Sequence, residues 1–336
     1  MKKILSVVLI IAVTALTLVG CGGTKSEKTG EPSTEKIVLK ASHVMAKGSS
    51  FDQALNKFKE LVEAESNGQI EVQVFADAVL GGEKESLEGM QAGTIDVAIS
   101  TTSPLASFVP EMGVLDLPFL FKSTEHAMAV LNGPIGESFK EKITSIGIIP
   151  LAFADFGFRH LTNNIRPVYT PADVKGLKIR VMQNPVQIET WKELGAEAVP
   201  MSISELLNAL QTGVVDGQEN PITATKNNGA YQAQKYISKT GHSYSAILIG
   251  ISKVTYDKLT PEQQDIVSRA GIAAAELNNK LYSEIEQSDI KFLEEKGLVF
   301  NEVDHQAFVD AVKPIYVKYE PTFGKDVIDQ IKNTDI

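Results

Sequence analysis

The chain has 336 residues, 43% hydrophobic and 22% charged, the composition of an ordinary globular protein with length enough for two domains. Its 42 Asp and Glu outweigh 32 Lys and Arg, a formal charge of −10 that argues against a nucleic-acid partner. With one cysteine, neither a disulfide framework nor a thiolate metal site can hold the fold, so stability must come from core burial.

The first 20 residues stand apart. Lys2 and Lys3 precede an uncharged run from Ile4 to Val19, followed by Gly20 and Cys21, which is the pattern of a secretory signal. The run is short for a membrane span, and "LVGC" matches the lipobox of bacterial lipoproteins. These residues predict cleavage before Cys21, lipidation of its thiol, and an extracytoplasmic protein anchored to the cell membrane, in a periplasm or on an outer face. Loss of residues 1–20 removes two lysines and no acid, which moves the charge from −10 to −12. Residues 22–35, "GGTKSEKTGEPSTE", lack any large apolar side chain and read as a flexible tether, so the fold is expected to start near Lys36.

"KIVLKAS" then reads as a strand, and Phe51, Ala54, Leu55, Phe58, Leu61 and Val62 recur at helical spacing behind Ser49 and Ser50 as caps. Ile70, Val72 and Val74 alternate in "QIEVQVF", a helix follows around Glu85 to Gln91, and "IDVAIS" is a third strand. Strand, helix, strand, helix, strand predicts an open α/β sheet with functional groups at strand ends. A second series starts after "IIPLAFAD", with "LKIRVM" as a strand, a helix opened by Pro185, and a helix at "SISELLNALQTG". In the last, Ser202 and Glu205 have capping-box spacing, Leu206, Leu207 and Leu210 form a stripe, and Gly213 suits the C-terminal cap. "DGQENP", Asp216 to Pro221, reads by composition as a polar turn. From Pro261 to about Lys296 the chain is helix-forming, as one long helix or two in series that could lie across both sheets. No fixed-period repeat is present, and the halves read as two α/β domains.

Motifs for chemistry are missing. There is no H-E-x-x-H, paired C-x-x-C, G-x-S-x-G or Walker A sequence, and the five histidines have no ligand spacing, so neither metal nor cofactor is expected. His43 and His242 follow predicted strand ends, while acid pairs such as Glu83 with Glu85 read most simply as solvated helix faces.

Two segments are different in kind: "FGFRHLTNNIRPVYTPADVKGLKIRVMQNP" and "PMSISELLNALQTGVVDGQENP". With "GQIEVQVFADAVLGGEKE", "GTIDVAIS", "LDLPFLF" and "TPEQQDIV", they closely resemble the solute-binding proteins of tripartite ATP-independent periplasmic (TRAP) transporters, in the dicarboxylate-binding-protein family, over nearly the whole mature chain. The resemblance implies a two-domain α/β fold of the periplasmic-binding-protein type II class, with hinge-crossing strands and a long helix spanning both domains. It places one domain at residues 36–156 plus about 246–286 and the other at 157–245 plus about 287–336.

It also implies a receptor, not an enzyme, which closes around a small organic acid and delivers it to the small and large membrane subunits of a permease, working as a monomer. By the same resemblance Arg180, in "KGLKIRV", forks onto the ligand carboxylate; Arg159, in "FGFRH", is a second arginine; and Asn220, in "DGQENP", donates to the same carboxylate. Guanidinium suits that task because it is planar, offers paired donors and keeps its charge when desolvated. His43, Glu83, Thr101, Thr102, Gln183 and Tyr244 are candidate specificity groups. Thr101 stands where the sialic-acid-binding branch has a ligand-contacting glutamate, and "STTSPLASFVPE" instead looks like members that take uronates, aldonates or small dicarboxylates. Three readings compete: a binding protein of an ATP-driven importer, a sensor subunit for the same acid, and a secreted enzyme built on Glu83, His43 or His160.

Overall fold

The computed structural model describes residues 36–336, which form one compact unit; the signal, Cys21 and tether predicted for residues 1–35 lie outside the described residues. The chain opens with β1 (Ile37–Ser42), α1 (Ser50–Glu65), β2 (Ile70–Phe75), α2 (Glu83–Ala92) and β3 (Val97–Thr101). Ser49 caps α1 by accepting a hydrogen bond from the Asp52 amide, and Phe51, Ala54, Leu55, Phe58 and Val62 bury one face, as their spacing predicts. β1 lies between β2 and β3, parallel to both.

After β4 (Ile148–Asn163), a second series repeats this logic with β5 (Lys178–Val181), α3 (Pro185–Glu193), β6 (Glu197–Pro200), α4 (Ile203–Gln211) and β7 (Gly217–Asn220). Asn184 caps α3, and the Ser202–Glu205 capping box of α4 is formed in both directions. Gly213, just past the end of α4, has φ +73°, the left-handed conformation its sequence position predicts. β5 is parallel to both β6 and β7.

Two long antiparallel strands, β4 and β8 (Tyr236–Ser252), join the two series, so the expectation of two sheets gives way to one. The order is β2-β1-β3-β8-β4-β7-β5-β6, with β9 (Val299–Asn301) alongside β8. A second correction concerns "DGQENP". Composition predicts a polar turn, yet Gly217–Asn220 is a buried strand held between β4 and β5. Its polarity is tolerated because it is satisfied: Gln218 Nε2 donates to Thr162 and Thr225, and Glu219 meets Arg159.

Strand direction creates a crevice. β3 runs towards the middle of β8 and ends with Thr101 opposite Ile247, while β7 runs the other way and ends with Asn220 opposite His160 of β4. The C-terminal ends of both parallel series therefore point at the same stretch, floored by β4 from Asp155 to Arg159 and β8 from Ser243 to Ala246, where the β4–β8 register slips between Asp155 and Gly157.

The long C-terminal segment is a single helix, α5 (Pro261–Glu295), 35 residues and about 50 Å long. It packs on α1 and β4, and Asn278 and Asn279 hydrogen-bond the backbone of Asp155. A later helix, α6 (Lys313–Phe323), lies against the Pro110–Asp116 turn and α3. No helix of the described residues is long and apolar enough to cross a membrane.

Gly157 sits at the register slip with φ +87°, and a Cβ there would lie 2.6 Å from the Tyr282 hydroxyl of α5. Gly157→Ala is expected to cost about 2 kcal/mol of stability through backbone strain and this clash. Chemical denaturation checks this, and Gly157→Ala combined with Tyr282→Phe should recover only part of the loss, because the backbone strain remains.

Candidate functional site

The crevice contains two buried arginines in opposite electrostatic situations. Arg159, on the β4 floor, is 0% exposed. Its Nε and Nη2 grip both carboxylate oxygens of Glu219, Nη2 also donates to the Glu219 carbonyl at 2.6 Å, and Nη1 donates to Ser245 Oγ at 2.9 Å. One Nη1 hydrogen is left over from the five. β7 alternates, so Glu219 faces Arg159 while Gln218 and Asn220 turn to the other face, where Asn220 Nδ2 donates to Gln218 Oε1. His242 Nε2 lies 3.1 Å from Glu219 Oε2 and Thr240 Oγ1 is 2.8 Å from its Nδ1. Burial pushes the Glu219 carboxyl up, but the Arg159 charge and the bonds from His242 and Arg159 outweigh that and hold it at about 2.

Arg180, on β5 beside Gln218, is 2% exposed and has no carboxylate within ion-pair distance among the described residues. Its Nε and Nη2 share one acceptor, the Met201 carbonyl, at 3.0 and 2.8 Å. Burial brings its pKa down to about 10, opposed by the more distant charges of Glu219, Glu83 and Glu205. A desolvated guanidinium held by one carbonyl has three N–H groups to spare, and such a group is costly unless an anion reaches it.

Arg180 lines a narrow cavity of about 20 Å³, with Met182, Gln183, Met201, Ser202 and Ile203 on its side and Glu83, Lys84 and Pro104 opposite. Glu83 accepts a hydrogen bond from the Thr101 amide at 2.7 Å, and burial raises its pKa. Thr101 Oγ1 and Met182 Sδ approach to 4.0 Å across the gap, and the Thr102 amide is bonded to Ala246. The walls thus come from the ends of β3 and β5 and the start of α2.

Residues 41–322 match the family described as bacterial extracellular solute-binding protein, family 7. The chain belongs to that family. It is 35% identical over 283 residues to the 2,3-diketo-L-gulonate-binding periplasmic protein YiaO of Escherichia coli strain K12, covering 83% of this chain and 86% of that one. A TRAP periplasmic solute-binding protein from Polaromonas sp. JS666, bound to D-erythronate, superposes with a TM-score of 0.87 at 36% identity, covering 90% of this chain and 100% of that one. A second, from Sulfitobacter sp. NAS-14.1 with bound β-D-galacturonate, gives 0.86 at 32% identity, covering 88% and 99%.

In this solute-binding protein Glu83, Arg180 and Gln183 share the pocket lining, Thr101 and Thr102 stand beside it, and Arg159 lies on the crevice floor. Asn220 ends β7 on the Arg180 face. Tyr244 lies in the floor as well, but its hydroxyl donates to Asp155 at 2.5 Å. His43 is buried away from the pocket lining, with Nε2 3.3 Å from Asp52 and Nδ1 without a partner among the described residues. Sequence reasoning missed Glu219 as the counter-ion of Arg159. The available signal was the one carboxylate at the centre of "GQEN", but only the β4–β7 register pairs it with Arg159.

Glu219→Gln leaves Arg159 buried without a counter-ion, with an expected loss of about 3 to 5 kcal/mol at neutral pH. Because the folded pKa is depressed, to about 2, this stability is full above the unfolded carboxylate range near pH 4 and is lost as pH falls towards 2. Urea titrations from pH 7 to pH 2 should show a steep acid limb in the wild type and a flatter one in Glu219→Gln.

Proposed function

We propose that this chain is a receptor that captures a small organic acid in the crevice and hands it to a TRAP permease with a small and a large membrane subunit. The observation that carries the reading is Arg180: a buried cation with one carbonyl partner, facing a pocket between opposed strand ends. Its free N–H groups take the ligand carboxylate as a fork. Asn220 and the spare Nη1 hydrogen of Arg159 add donors, while Glu83, Thr101, Thr102 and Gln183 read the hydroxyl groups. Tyr244, engaged by Asp155, belongs to the crevice floor, and His43, engaged by Asp52, takes no part in the pocket.

The ligand class is sugar acids, aldonates and uronates, with small dicarboxylates as the second choice. Support comes from D-erythronate and β-D-galacturonate in the superposed family members, and from Thr101 at a position that adds no second negative charge to the pocket. The protein works as a monomer without covalent chemistry. Residues 36–156 with about 246–286, and 157–245 with about 287–336, move as two bodies about the register slip at Asp155–Gly157, so a ligand that contacts both favours closure. Cys21 carries the lipid that keeps the receptor at the membrane.

Thermal-shift and calorimetric titration against D-erythronate, D-glucuronate, D-galacturonate and succinate should find at least one acid that raises the melting temperature. Arg180→Ala should then lose about two to four decades of affinity for it, the equivalent of about 3 to 5 kcal/mol. Unchanged affinity in that variant would remove Arg180 from the site. Cys21→Ala is expected to move the protein from the membrane fraction to the soluble fraction on cell fractionation; retention on the membrane would refute the anchor.

A further inference from the structure

Behind the pocket lies a polar cluster that the ligand contacts do not use. Its centre is Asp116, 3% exposed, at the end of the Pro110–Asp116 turn. Asp116 Oδ1 accepts from Ser103 Oγ and, at 2.9 Å, from Gln187 Nε2; Oδ2 accepts from Asn184 Nδ2 at 2.9 Å. Asn184 Nδ2 also reaches the Ser103 carbonyl at 2.9 Å, and Gln187 Nε2 reaches Ser103 Oγ at 3.1 Å. Ser103 follows Thr101 and Thr102 at the end of β3. Asn184 and Gln187 begin α3, directly after Arg180, Met182 and Gln183. One carboxylate therefore joins the two chain segments that form opposite walls of the pocket.

The donors cannot turn. Asn184 Oδ1 is occupied as the cap of α3, accepting from the Val186 and Gln187 amides, and Gln187 Oε1 accepts from the Met182 amide at 3.2 Å. Both side chains must present their NH₂ groups to Asp116, so the cluster is complementary to a carboxylate and to nothing that donates there.

We propose that Asp116 is a positioning residue for the ligand pocket: as a buried carboxylate it ties the end of β3 to the start of α3 when the two bodies are closed, and so sets the separation of the Thr101 and Arg180 walls in that closed arrangement. The proposal rests on the ligand site assigned above. Burial pushes the Asp116 carboxyl up to about 6, opposed by the bonds from Ser103 and Gln187 and the charge of Arg159 and reinforced by that of Glu219. The groups touching it, Ser103, Asn184 and Gln187, are neutral; on β8, His242 faces Glu219, and on α6 the Tyr316 hydroxyl donates to the Pro118 carbonyl. Protonation as pH falls through that region removes an acceptor from fixed donors and loosens the walls.

The test uses the full chain and two readouts. With whichever of D-erythronate and D-glucuronate, whose single carboxylates stay ionised throughout, the wild type binds better, affinity should fall about tenfold between pH 7.5 and pH 5. Asp116→Asn should already be weaker by at least about tenfold at pH 7.5 and lack that acid limb. Adding Asn184→Asp, which restores a donor–acceptor pair and keeps a capping oxygen, should recover part of the loss. Independently of any ligand, amide hydrogen exchange at Val186 and Gln187 should quicken in Asp116→Asn while α1 and β2 keep wild-type protection.

Wild-type affinity and pH profile in Asp116→Asn would overturn the proposal, as would unchanged exchange at α3 or a uniform loss of protection across the molecule. If no acid binds the wild type, the receptor reading fails, and the exchange measurement alone decides whether Asp116 joins the two walls.

Discussion

Placing two guanidinium groups out of water in one crevice is the constraint around which the rest of this molecule is arranged. Each desolvated cation costs several kcal/mol unless an anion or a full set of acceptors meets it. Arg159 is answered internally, by both oxygens of Glu219 and by Ser245, and this pair welds β4 to β7 and β8. Among the described residues Arg180 is answered only by the Met201 carbonyl. The first arrangement stabilises the floor, and the second leaves a buried cation with N–H groups to spare at the pocket wall, the groups we propose meet a ligand carboxylate.

The sheet topology makes that arrangement useful. Had the two parallel series pointed their strand ends apart, Thr101 and Arg180 would lie at opposite extremes of the molecule. Because β4 and β8 run through both series in antiparallel register, the ends converge on Asp155–Arg159 and Ser243–Ala246. The same stretch carries Gly157 in a left-handed conformation and the contacts of Asn278 and Asn279 with Asp155, which couple the crevice floor to α5. Floor, walls and long helix therefore meet at the Asp155–Gly157 register slip in the sheet.

Charge adds a second level of control. The chain is strongly acidic overall, so its distant field repels an organic acid. At physiological ionic strength that field is screened beyond about 8 Å, whereas a buried arginine lining a narrow pocket, Arg180, acts over hydrogen-bond distances in a poorer dielectric. Selectivity for an anion by a negatively charged protein needs this separation of scales. The burial that sharpens the local field also raises the pKa values of Glu83 and Asp116 beside it.

Much of the architecture was legible in local pattern, because helix caps, alternation and helical stripes depend on residues close in sequence. Ser49, the Ser202–Glu205 box, Gly213 and the buried face of α1 all appear where spacing predicts them. The resemblance of "KGLKIRV", "FGFRH" and "DGQENP" to one protein family was likewise enough to anticipate the family and its sheet class and to single out Arg180, Arg159 and Asn220 as candidates. What local pattern could not decide was pairing across long separations: that "GQEN" is a central strand and no turn, that two sheets are one, and that Glu219 lies opposite Arg159 and Asp116 joins Ser103 to Asn184. A polar side chain looks the same in sequence whether water or a buried partner satisfies it, and only the tertiary register of strands tens of residues apart determines which of these it is.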